Sequence, residues 1–124
     1  MKPTKPWFII FDACVIIIFA LIGRRSHSEP LNPLGILETA WPFLVAAALG
    51  VSFVLTRKLR GAALVSGGII WVFTWLGGML LRYISGTSVA LSFFTVAGVF
   101  LAVFILGWRL IFCATKLLSA RRHV

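Results

Sequence analysis

GAALVSGGIIWVFTWLGGMLL, residues 61–81, contains no charged side chain, yet Arg57, Lys58 and Arg60 precede it and Arg82 follows it. The hydrocarbon core of a bilayer takes about 20 apolar residues of helix to cross. Within that core every backbone N–H and C=O must be satisfied by the segment itself, which leaves the helix as the form such an isolated stretch adopts. Residues 61–81 therefore read as a membrane-spanning helix held at both ends by cations that stay in the head-group regions.

Working outward, three more stretches have the same character. The run at 7–23 follows Lys2 and Lys5, the run at 39–56 ends at the basic turn Arg57-Lys58-Leu59-Arg60, and the run at 89–112 leads into a tail with Lys116, Arg121 and Arg122. The first run has the positive start of a secretory signal. It ends in Ile22-Gly23-Arg24-Arg25 without a small-residue cleavage site and is interrupted by Asp12, so it reads as a retained helix. Between residues 23 and 37 the density of Pro, Asn, Ser and charge reads as the longest loop, and Pro42 then belongs in the first turn of the second helix, with Glu38 or Thr39 at its start. Short connections make neighbours antiparallel. The expected fold is an all-α membrane protein, a four-transmembrane-helix up-down-up-down bundle forming one domain over 1–124.

Composition agrees. Of 124 residues 60% are hydrophobic and 12% charged, too apolar for a soluble domain of ordinary make-up. The formal charge of +9 arises from 12 Lys and Arg against three acids, Asp12, Glu29 and Glu38. In a soluble chain that balance suggests nucleic acid; here the cations sit between apolar runs, where they orient the chain and meet membrane lipids, anionic head groups included. One side collects Lys2, Lys5, Arg57, Lys58, Arg60, Arg109, Lys116, Arg121 and Arg122, and the other Arg24, Arg25 and Arg82. The positive-inside rule then puts both termini in the cytoplasm, as expected for a multi-pass protein of the plasma membrane. Cys14 and Cys113 have no CxxC partner and no His at ligand spacing, so neither a metal nor another cofactor is expected, and the thiols read as small packing hydrophobes.

Three constellations can carry chemistry. Asp12 lies within the first span, about 8 Å along the helix from Trp7. An acid at such depth costs about 2.5–3.5 kcal/mol on insertion scales and needs a partner inside the bundle. Arg109, at matching depth in the fourth span, makes the pair Asp12 and Arg109, read either as a structural bond, with a Thr or Trp as the alternative partner of Asp12, or as a proton- or cation-coupling site. The outer end offers Arg24, Arg25, His27, Glu29, Glu38 and Arg82, residue types suited to a phosphate or carboxylate and equally to ordinary loop solvation. The third helix repeats Gly67, Trp71, Thr74, Gly78 and Arg82 at spacings of one helical face, and the fourth repeats Thr95, Gly98, Ala102, Ile105 and Arg109. Both stripes read as packing seams, or, through Trp71 and Thr74, as the lining of a path. No nucleophile, base and orienter set is present, and no phosphate-cradling loop, so no catalytic motif points to an enzyme.

The segments Phe19-Ala20-x-Ile22-Gly23-Arg24-Arg25-Ser26-His27-x-Glu29, Thr39-Ala40-Trp41-Pro42-Phe43, Gly78-Met79-x-Leu81-Arg82 and Gly107-Trp108-Arg109 resemble domain-of-unknown-function family 3054, with Asp12 fitting the first helix. The resemblance implies a small prokaryotic four-helix integral membrane protein and assigns no activity. The functional expectation is an oligomeric transporter or channel-like protein with a buried acid. The alternative is an anionic-lipid-binding or accessory subunit that uses the outer Arg, His and Glu residues.

Overall fold

The computed structural model describes residues 7–26, 32–86 and 91–122. Four helices occupy them: α1 (Trp7–Ser26), α2 (Pro33–Thr56), α3 (Leu64–Ile84) and α4 (Leu91–Arg122). Each is long and apolar enough to cross a membrane. Each packs on its sequence neighbours, and α1 closes the ring on α4. The core is built of Ile16, Phe19, Phe43, Met79, Leu101 and Ile105, while Ile10, Val65, Val99 and Ile111 are among the many large apolar side chains that face outward. An apolar exterior of that extent suits lipid and not water. The chain is a multi-pass membrane protein of the four-helix kind.

Several helix limits differ from the sequence expectation. The loop expected at 23–37 is shorter, since α1 continues through Ser26 and α2 begins at Pro33. Asn32 caps α2 by accepting from the Gly35 amide at 2.6 Å, and Pro33 occupies the first helical position, where its missing N–H is no loss. Pro42 is consequently inside α2 rather than in its first turn, and the carbonyl of Glu38 forgoes its helical donor there. The third helix starts at Leu64 and not at 61, because Gly61 belongs to the turn between α2 and α3. The fourth continues past 112 to Arg122. At 32 residues it is about 48 Å long, so its basic end projects beyond a hydrocarbon layer of about 30 Å.

α2 ends in a Schellman motif. The Leu59 amide donates to the Val54 carbonyl and the Lys58 amide to the Leu55 carbonyl, both at 3.0 Å, while Leu59 packs on the cluster that contains Val54. Lys58 takes the left-handed position, φ 56°, which glycine usually fills.

Midway along α3 the helix loosens into a π turn at Phe73–Gly77. The Gly77-Gly78 pair makes such a departure easy. The turn divides the stripe read from the sequence. Gly67 faces Arg109 and Leu106 of α4, whereas Gly78 abuts the Phe43 ring of α2. It also aligns Trp71 and Trp75, whose rings stack at 5.4 Å and 10°.

Candidate functional site

The end of the bundle that holds the start of α1, the end of α4 and the 57–63 turn contains a closed polar knot. Arg109 and Asp12 are 0% and 2% exposed. The guanidinium grips the carboxylate with two bonds, Nη1 to Oδ1 at 2.8 Å and Nη2 to Oδ2 at 2.7 Å. This bidentate geometry is the strongest a carboxylate and an arginine can form. Nε donates to the Gly61 carbonyl at 2.9 Å, and Nη1 also reaches the Ile105 carbonyl at 3.0 Å. Trp108 adds its indole N–H to Asp12 Oδ1 at 2.9 Å, and the guanidinium carbon lies 4.3 Å from the Trp108 ring centroid.

Local sequence makes the knot possible. Gly67 leaves the space for the Arg109 stem: a Cβ there would stand 2.5 Å from Arg109 Cδ. Gly61 is buried beneath the Phe8 ring, which occupies the place of its missing side chain. Ser66 donates to the Arg60 carbonyl and so ties the basic turn to the start of α3. One arginine thus joins α1, α4 and the turn between α2 and α3. Moving any of these apart breaks charge-assisted bonds in a medium where water cannot replace them.

The remaining residues singled out from the sequence are spread through the bundle. Trp71 donates to the Gly98 carbonyl and Trp75 to the Phe94 carbonyl, both at 2.9 Å, which pins α3 to α4 along one ladder. Gly98 admits the Trp75 indole, with a Cβ there meeting the ring at 2.6 Å. Thr74 is fully buried in the π turn, and its hydroxyl has no hydrogen-bond partner among the described residues. At the opposite end Arg24 donates to Thr39 Oγ1 at 3.0 Å and lies across Gly35. Arg82 covers the Phe93 ring at 4.8 Å. Arg25 and Glu38 are exposed, and His27 and Glu29 lie outside the described residues. Cys14 and Cys113 are free and exposed on the outer surface of the bundle, not packed within it as expected.

Sequence reasoning did not find the Gly61 carbonyl or the role of Gly67 as a seat for Arg109, and it named a Trp as an alternative partner of Asp12 without singling out Trp108. The available signal was the adjacency of Trp108 and Arg109, two strong donors side by side at the depth of a lone acid.

No curated protein and no solved structure matches the chain. A family model described as Protein of unknown function (DUF3054) matches residues 9–112, a span that contains Asp12, Gly61, Gly67, Trp108 and Arg109 and therefore every polar group of the knot. The chain belongs to that family of proteins of unknown function.

Proposed function

We propose that the chain is a small transport or channel-like protein of the plasma membrane, with both termini and the basic turn in the cytoplasm, in which the Asp12–Arg109 pair holds the cytoplasmic end shut. The observation that carries this reading is the burial of a complete ion pair inside a membrane bundle. Apolar side chains of similar volume would fill the same space without the desolvation cost of two charges, and ionisable groups within spans mark ion and proton pathways by default. A proton delivered to Asp12 removes its charge and leaves Arg109 as a buried cation. The favourable response is for Arg109 to move toward the basic end, which releases Gly61 and the Phe8 ring above it. Because Ile16, Phe19, Phe43, Leu101 and Ile105 fill the space between the four helices, the path in this reading forms only when the helices part at that end, with a second copy completing its wall.

The test is proton flux in proteoliposomes loaded with a pH-sensitive dye, driven by a potassium gradient and valinomycin. Wild type acidifies the lumen faster than protein-free vesicles, and Asp12→Asn, checked for cooperative unfolding, falls to the protein-free rate because an amide cannot carry the proton even where that end is open. Undiminished flux in Asp12→Asn removes the coupling role and leaves the pair as a structural bond.

A second reading is recognition of an anionic head group at the outer end, where Arg25 is exposed beside Arg24, itself bonded to Thr39. Its mark is an anionic-lipid-dependent rise in melting temperature that Arg24→Ala with Arg25→Ala abolishes.

A further inference from the structure

The lipid-facing side of α3 has a groove of about 540 Å³ lined by Phe53, Val65, Gly68, Ile69, Val72 and Phe73 among others, with an almost wholly apolar wall. It exists because position 68 has no side chain. A Cβ there would have nothing within 4 Å. From Val65 to Phe73 the groove follows α3 for about 12 Å, from the basic turn toward the middle of the membrane.

The mouth of the groove is cationic. Phe53 forms its wall in the last turn of α2, and the Arg57 guanidinium carbon lies 5.3 Å from the Phe53 ring centroid. Lys58 and Arg60 follow within three residues. Arg57 and Lys58 are exposed. The two acids among the described residues are elsewhere, Asp12 bonded to Arg109 and Glu38 about 28 Å away along α2. An apolar channel running inward from a cationic rim at interface depth matches one molecule in a bilayer, a lipid with an acyl chain and a phosphate carrying net negative charge.

We propose that this groove is a binding site for an anionic phospholipid, with one acyl chain along α3 over Gly68 and the phosphate on Arg57 and Lys58. The charge complementarity of the rim selects against zwitterionic lipid, whose choline group offsets the phosphate. The site is distinct from the outer residues Arg24, Arg25 and Arg82, which lie at the other end of the helices.

The experiment measures lipid binding to the full chain in neutral detergent, by native mass spectrometry and by melting temperature, with phosphatidylglycerol as the probe and phosphatidylcholine of the same acyl composition as its control. Phosphatidylglycerol binds one per chain and raises the melting temperature at concentrations where phosphatidylcholine does neither. Arg57→Ala with Lys58→Ala weakens binding roughly thirtyfold, about fivefold per cation removed. Gly68→Leu, which fills the groove from open space, abolishes it, and so does Val65→Trp, which fills it from an exposed position. Equal binding of the two lipids, unchanged phosphatidylglycerol affinity in both groove-filling variants, or loss of binding in Arg24→Ala with Arg25→Ala alone overturns the assignment. So does a two-chain species that Gly68→Leu dissociates, since the groove is then a subunit contact.

Discussion

Gly67 and Gly68 are adjacent in sequence and differ completely in surroundings, which makes a matched pair of alanine substitutions a test of the polar knot. In Gly67→Ala the new methyl stands 2.5 Å from Arg109 Cδ, 3.0 Å from Leu106 Cδ2 and 3.1 Å from Arg109 Nε. Ordinary carbon contacts are about 3.5–4.0 Å, so the Arg109 stem must shift by about 1 Å. Its bonds to Asp12, Gly61 and Ile105 span 2.7–3.0 Å, and a shift of that size takes at least one beyond useful range. Overpacking costs about 1–3 kcal/mol and a lost charge-assisted bond about 1.5–3 kcal/mol. Against these, alanine in a helix interior gains about 1 kcal/mol over glycine. The net loss is about 1.5–5 kcal/mol. Gly68→Ala meets nothing and keeps the gain alone, so it is neutral or up to about 1 kcal/mol more stable. The assay is reversible unfolding in mixed micelles, followed by helical circular dichroism as the denaturing detergent fraction rises. In an Arg109→Ala background Gly67→Ala should lose far less, since only the Leu106 contact remains. Equal stability of the two glycine variants in the wild-type background refutes the reasoning, because Arg109 would then be free to move aside.

The ion pair itself should show strong coupling: Asp12→Ala lowers stability by about 3–5 kcal/mol by leaving a buried cation, and Asp12→Ala with Arg109→Leu loses less than the sum of the single changes, as a double-mutant cycle by the same assay would read. Trp75→Phe removes the bond to the Phe94 carbonyl and should lose about 0.5–1.5 kcal/mol, whereas Gly98→Ala drives a methyl into the Trp75 ring and should lose about 1–3 kcal/mol; in Trp75→Ala the Gly98 effect should vanish. With native thiols replaced, an impermeant maleimide applied to intact cells should label Ser85→Cys and spare Lys58→Cys, the opposite pattern reversing the orientation.

The fold was legible because the bilayer sets a length and a polarity that a single sequence displays directly. Residues 61–81 and 89–112 show it without any partner in view, and Asp12 is conspicuous against an apolar run. Helix limits were less legible around Pro33 and Pro42, where one proline starts α2 and the other is tolerated inside it; both are helix-start signals when read one residue at a time. The π turn was not legible, since the Gly77-Gly78 pair permits it while the apolar pattern of residues 61–81 reads the same with or without it. As a result the face drawn through Gly67, Trp71, Thr74 and Gly78 divides between two partner helices. The acid of the candidate site was visible from the cost of its depth, and Arg109 from matching depth. The Gly61 carbonyl was not, because a backbone acceptor in a turn has no signature in side-chain chemistry. The outer residues were read as one cluster from their shared membrane face, a level of argument that fixes depth but not which side chain meets which.

The central claim, that the Asp12–Arg109 pair keeps the end of the bundle near both termini closed, is tested most directly by the reactivity of a thiol at position 66. Ser66 is fully buried beside Gly67, with its hydroxyl on the Arg60 carbonyl. In a chain with Cys14 and Cys113 replaced by Ala, Ser66→Cys should be inert to an impermeant maleimide applied from that side. Adding Asp12→Asn should make it reactive, while a thiol at exposed Ser85 on the opposite end labels at an unchanged rate. If the thiol at position 66 remains as inert with Asp12→Asn as without it, the pair does not hold that end shut and the gating account fails.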